Sequence, residues 1–215
     1  MEREKITGQV EITQTKLEES QKKIKNIPQF KKGIESFLAA SATELLEIIL
    51  IGTISLEASD IHIEPEEKES KLRIRIDGIL QSVIILDLKI YKTLLSRIKL
   101  LSGLKLNVAD RPQDGRFTIL ITDSYAIEIR ASALPSEHGE SIVLRFLNPK
   151  NLIEMESLGL RKDLIETLKR EIKKPNGMII ITGPTGAGKT TTLYAILKKI
   201  HKPEIKTITI EDPIE

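Results

Sequence analysis

Apolar positions along this chain change their spacing from segment to segment, and each change marks a new element. Residues 1 to about 33 carry isolated apolar side chains among Lys, Glu and Gln without a sustained period, ending near Pro28 and Gly33. Such a stretch reads as a solvated arm or frayed helix. The sharper alternative is a docking segment, since basic runs such as Lys22-Lys23 can serve as interaction tails. From Ser41 the pattern turns helical. Ser41 or Thr43 can cap a helix in which Leu45, Leu46, Ile48, Ile49 and Ile51 or Gly52 build a broad buried face running to about Ala58. Ser59 to Glu64 then alternates apolar and polar residues, as a half-buried strand does. Leu72, Ile74 and Ile76 alternate with Arg73, Arg75 and Asp77, and Asp77-Gly78 leads at once into Ile79-Leu80 and Val83 to Leu86. Asp-Gly between two such runs predicts a tight hairpin.

A second amphipathic helix is predicted over Leu88 to Ser102, with Leu94, Leu95, Ile98 and Leu101 inward and Gly103 as its stop. Three strand-like runs follow, Arg116 to Thr122, Ala126 to Ala133 and Glu140 to Leu147, separated by turn-forming stretches. Together these elements predict a compact α+β domain with an antiparallel sheet over residues 36–148, preceded by a charged arm over residues 1–35. Asn148-Pro149-Lys150 reads as a linker into a second domain over residues 149–215. There, Leu160 to Ile172 is a third helix, broken by Lys174-Pro175-Asn176-Gly177. Met178 to Ile181 reads as a strand that opens a nucleotide-binding α/β unit, and Lys206 to Ile210 as a second strand.

The candidate chemistry sits between those two strands. Gly183-Pro184-Thr185-Gly186-Ala187-Gly188-Lys189-Thr190 fits G-x-x-x-x-G-K-[ST] in full and runs through Thr191 into a helix-compatible stretch. Glycines at 183, 186 and 188 let the backbone wrap around an anion, so that amide N–H groups converge on phosphate oxygens at a helix N-terminus. Lys189 adds a full charge near the β- and γ-phosphates, and the Thr190 hydroxyl can ligate Mg²⁺. The ligand this predicts is a magnesium nucleoside triphosphate. Glu211-Asp212, at the C-terminal end of the second strand, either order the Mg²⁺ shell or a water near the γ-phosphate, or simply start the turn before Pro213.

Composition narrows the alternatives. With 33 Lys and Arg against 31 Asp and Glu, the formal charge of +2 leaves no footprint for nucleic acid. Aromatic residues are 3% of the 215, few platforms for stacking single strands. There are no cysteines, which excludes disulfides and thiolate metal sites. His62, His138 and His201 are scattered without metal-ligand spacing and read as structural or surface residues. No apolar run approaches membrane-spanning length and the N-terminus is charged from its second residue, so the expected place is the cytoplasm, unless a partner holds the protein at a membrane.

Five blocks, in order, resemble the secretion ATPases that drive type II secretion and type IV pilus assembly. They are Ala58-Ser-Asp-Ile-His-Ile-Glu-Pro65, Arg75-Ile-Asp-Gly78, Arg111-Pro-Gln-Asp-Gly-Arg116, the P-loop with Thr191-Thr-Leu-Tyr-Ala195, and Thr209-Ile-Glu-Asp-Pro-Ile-Glu215. The resemblance implies a PAS-like N-terminal domain, a RecA-like motor domain, ATP as the nucleotide, and a homo-hexamer working peripherally at the inner membrane under a platform protein. It assigns Arg116, Arg130 and Arg145 to the arginines that close over the triphosphate, and Glu211 and Asp212 to the family's acidic box. The family's Walker B strand and histidine box are expected beyond residue 215, so the chain reads as a fragment with an incomplete RecA-like domain. A nucleotide-binding adaptor or remnant without hydrolytic activity is the alternative.

Overall fold

The computed structural model describes residues 8–122, 125–147, 154–184 and 187–211. They belong to two compact units that divide after Leu147.

The first unit is built on a seven-stranded sheet in the order β1-β5-β6-β7-β2-β3-β4. Its elements in sequence are β1 (Gln9–Glu11), α1 (Gln14–Lys23), α2 (Ile27–Glu35), α3 (Ala42–Ser55), β2 (Asp60–Pro65), β3 (Glu69–Ile76), β4 (Ile79–Asp87), α4 (Leu88–Leu101), β5 (Gln113–Thr122), β6 (Tyr125–Ser136) and β7 (Gly139–Leu147). All ladders are antiparallel except β1 with β5, which is parallel. Asp77 and Gly78 adopt positive φ (49° and 79°) and close the hairpin between β3 and β4 in two residues, as Asp-Gly predicts. Ser41, rather than Thr43, caps α3: its hydroxyl accepts from Glu44 N while the Glu44 carboxylate accepts from Ser41 N, a reciprocal capping box.

One face of the sheet is apolar. Ile61, Ile63, Leu72, Ile74, Phe117, Ile119, Ile127, Ile129, Ile142 and Leu144 are buried in one cluster with the inward residues of α1 to α4. α3 is buried on most of its circumference, which its nearly uninterrupted apolar sequence allows.

The solvated arm expected at the N-terminus is not what residues 8–35 form. β1 adds a strand to the sheet edge, with Ile12 N donating to Leu120 O at 2.8 Å, and α1 and α2 pack on α3. Ile12, Leu17, Ile24, Phe30 and Ile34 are all buried. Their spacing shows no single period because they are shared among one short strand and two short helices, each presenting only one or two side chains. Gly52 of α3 is where Phe30 lands: a Cβ there would lie 2.1 Å from the phenyl ring. The compact first unit therefore starts well before residue 36.

A buried ion pair ties the sheet to α4. Lys99 Nζ donates to both Glu140 oxygens (2.7 and 2.9 Å) and to Val108 O (2.7 Å), with the lysine side chain 2% exposed. Tyr91 OH donates to Glu140 O and accepts from Glu140 N, and burial pushes its phenol up to about 12. Gln113 Nε2 donates to Val108 O as well, so the loop between α4 and β5 is held from two sides.

The second unit holds a short 3-10 turn (Met155–Ser157), α5 (Lys162–Glu171) and α6 (Lys189–Ile200) around a small core of Met155, Ala195 and Ile196. Neither strand expected here is formed. Met178 to Ile181 and Lys206 to Ile210 make no ladder among the described residues, and Met178 and Ile210 are 85% and 98% exposed. A β-strand exists only through pairing with a neighbour, and the described residues supply none to these apolar runs. The expected linker at residues 148–150 lies outside the described residues.

Two substitutions check this account by denaturant unfolding. Phe30→Ala is expected to cost about 3–5 kcal/mol, whereas a solvated arm would register almost nothing. Lys99→Met strands the buried Glu140 carboxylate and is expected to cost about 3–5 kcal/mol, most of it recovered when Glu140→Leu is added.

Candidate functional site

The candidate residues fall into two groups, one in each unit. In the second unit, Gly188 takes a left-handed conformation (φ 77°, ψ 23°) immediately before α6, and the helix start has no side-chain cap. A glycine is needed for that turn, and the first N–H groups of α6 are left to face whatever approaches. A Cβ at Gly183 would lie 3.2 Å from the Ala187 methyl, close enough that one of the two would have to give way slightly. Lys189 Nζ donates to the carbonyls of Gly183 and Pro184, both at 2.8 Å, which folds the ammonium back over the loop. Thr190 is exposed and Thr191 half-buried in the first turn of α6. The half-buried Glu211 accepts from Tyr194 OH at 2.6 Å, a tie between α6 and the acidic box. Tyr194 lies in a block that resembles the secretion ATPases, but nothing in the linear sequence pairs it with Glu211. Thr185, Gly186 and Asp212 lie outside the described residues.

In the first unit the three candidate arginines are brought together by register. Arg116 on β5 is directly opposite Arg130 on β6, Arg130 is opposite Arg145 on β7, Arg145 is opposite Asp60 on β2, and Asp60 is opposite Arg75 on β3. Directly opposed residues share a face, so these five form one row across the polar side of the sheet, about 19 Å long at the usual strand spacing. Like charges directly opposite each other destabilise a sheet. Three consecutive arginines are opposed in this way, and two acids lie beside them. Glu128 lies 4.0 Å from Arg116, and Asp60 stands between Arg145 and Arg75.

Gly115 explains why β5 runs where it does. A Cβ there would sit 2.2 Å from Ser102 O at the end of α4, and that same carbonyl accepts from Arg116 N at 3.2 Å. The glycine lets strand and helix end touch, which sets the position of Arg116.

Burial alone would raise the Asp60 carboxyl, but hydrogen bonds from Ser59 and Arg145 and the charges of Arg145 and Arg75 outweigh it and hold the group below its ordinary value of 3.8. His62, on the same face, is pushed below its ordinary value by burial. Among the described residues no cluster of His, Asp or Glu gathers as a metal site, and no helix is long and apolar enough to cross a membrane.

Residues 37–215 match the family described as Type II/IV secretion system protein. The chain belongs to this family. It is 41% identical over 193 residues to the type II secretion system ATPase E of Vibrio cholerae, covering 88% of this chain and 38% of that protein. It is 36% identical over 200 residues to the type IV pilus assembly ATPase PilB of Myxococcus xanthus, covering 93% of this chain and 35% of that one. The chain thus spans less than two-fifths of the length of these secretion ATPases. Its fold is similar to that of the ATPase DotB of Legionella pneumophila, with a TM-score of 0.55 at 22% identity over 73% of this chain and 42% of DotB. The family match begins at Phe37, just after α2, and takes in both the arginine row and the P-loop of this secretion-family chain.

The depressed Asp60 pKa has a consequence for stability. An acid held below its unfolded value stabilises the fold above about pH 4 and loses that contribution as pH falls through the folded pKa. The stability difference between wild type and Asp60→Asn, measured by urea unfolding, is expected to be largest near neutrality and to narrow progressively below about pH 4.

Proposed function

We propose that this chain is the nucleotide-binding part of a motor subunit that hydrolyses ATP to drive assembly of a type IV pilus or of a type II secretion pseudopilus. The observation that carries the reading is the P-loop: a left-handed glycine, an uncapped helix start and a lysine folded over the loop, in a chain of the secretion family. On this reading the second unit opens a RecA-like motor domain and the first is its PAS-like companion. Subunits associate as a homo-hexamer on the cytoplasmic side of the inner membrane, against a platform protein.

The residues suit a magnesium nucleoside triphosphate. Backbone N–H groups of residues 183–190 cradle the phosphates, and the partial positive charge at the start of α6 favours their negative charge. Lys189 exchanges two neutral carbonyl acceptors for phosphate oxygens, which converts ordinary hydrogen bonds into charge-assisted ones. The Thr190 hydroxyl would help to hold Mg²⁺, which when bound would neutralise part of the triphosphate charge. Glu211, steadied by Tyr194, and its neighbour Asp212 order water beside the γ-phosphate. Arg116, Arg130 and Arg145 present guanidinium groups to the γ-phosphoryl oxygens, where charge grows in the transition state.

Lys189→Ala in the full-length protein is expected to weaken MgATP binding by about tenfold or more and to abolish phosphate release, measured with a fluorescent nucleotide and a phosphate assay. Unchanged affinity would sink the reading. Tight binding by the wild-type protein with no phosphate release would instead identify a nucleotide-binding adaptor.

A further inference from the structure

We propose that Asp60 is a positioning residue for the arginine row: its buried carboxylate grips Nε of Arg145 and so presents the two terminal nitrogens of that guanidinium to a phosphoryl group. This rests on the role proposed above for the arginines.

The pair is asymmetric. The Asp60 side chain is 5% exposed and that of Arg145 is 62% exposed, so an immobile acid anchors a cation that still reaches solvent. Arg145 Nε donates to Asp60 Oδ1 at 2.9 Å, while Oδ2 accepts from Ser59 Oγ at 2.7 Å and lies 3.3 Å from Arg75 Nε. Both carboxylate oxygens are therefore engaged, and the carboxylate cannot turn away from Arg145 without giving up Ser59 and Arg75. The backbone around it is fixed as well, because Ser59 N donates to Arg75 O and Phe146 N to Ser59 O, each at 2.9 Å.

The two arginines that share Asp60 are not equivalent. Arg75 is held at both ends of its guanidinium, with Nε near Asp60 and Nη1 donating to Gly78 O at 2.9 Å. Among the described residues, Arg145 is held through Nε alone. A guanidinium gripped at Nε keeps its planar terminal fork, the part that pairs with two phosphate oxygens at once. Without Asp60, Arg130, Arg145 and Arg75 would be neighbouring like charges with nothing between them, and Arg145 would swing away from the row.

The test is steady-state hydrolysis of MgATP by the full-length protein, with thermal melting to check that each variant folds. Arg145→Ala and Asp60→Asn are each expected to lower kcat by about tenfold to a hundredfold with little change in KM. The double variant is expected to be no slower than Arg145→Ala, since Asp60 acts through that side chain. A kcat loss in Arg145→Ala with a normal Asp60→Asn overturns the inference and leaves the arginine role standing. Losses that multiply in the double variant also overturn it, because Asp60 would then act independently. A normal Arg145→Ala removes the arginine role and the inference together. Should Asp60→Asn fail to fold, Arg145→Lys carries the test: it keeps the charge but not the gripped fork, and is expected to be as slow as Arg145→Ala. Wild-type kcat in Arg145→Lys would overturn the proposal.

Discussion

The register of the seven-stranded sheet is the constraint on which the rest of the first unit depends. Side chains alternate faces with a period of two, so a slip of one residue would carry every inward isoleucine to solvent and every outward arginine into the core. The hairpin at Asp77-Gly78, the turn into Gly139 and the contact of Gly115 with the end of α4 each pin one part of that register. With it fixed, four helices can cover the apolar face and the opposite face can be left charged. The row from Arg116 to Arg75 is the product of that alignment.

Much of this was legible in the sequence, for identifiable reasons. α3, α4 and the strands from β2 to β7 have long, clean periods and strong stops, and the structure differs from the sequence reading there mainly at boundaries. The N-terminal elements were not legible, because Ile12, Leu17, Ile24, Phe30 and Ile34 are each dictated by a different partner in space. Gly52 is informative only once Phe30 is known to lie on it. The apolar runs at Met178 to Ile181 and Lys206 to Ile210 have the composition of strands, but composition supplies no pairing partner.

The candidate site divides in the same way. The candidate phosphate loop could be picked out as a motif because its pattern is local: glycines, a lysine and a threonine at fixed spacing before a helix, and α6 does start at Lys189 after the left-handed Gly188. The arginine row was legible only in part. Arg116, Arg130 and Arg145 came from resemblance to the secretion family, whereas their alignment is a property of three ladders that no linear spacing expresses. Asp60 gave no signal of its own, since an aspartate at the start of an alternating strand looks like any outward polar residue. Its burial between two arginines, and the Tyr194 contact to Glu211, emerge only in three dimensions.

On the proposed function, the guanidinium groups of Arg116, Arg130 and Arg145 meet the triphosphate of a bound nucleotide. A structure of the full-length protein bound to MgADP and aluminium fluoride tests it most directly. The expected result is aluminium fluoride, standing in for the transferring phosphoryl group, within hydrogen-bonding distance, about 3 Å, of the terminal nitrogens of Arg145, with Arg145 Nε still on Asp60. A nucleotide held by the P-loop while Arg116, Arg130 and Arg145 from every subunit all remain beyond hydrogen-bonding reach would contradict it.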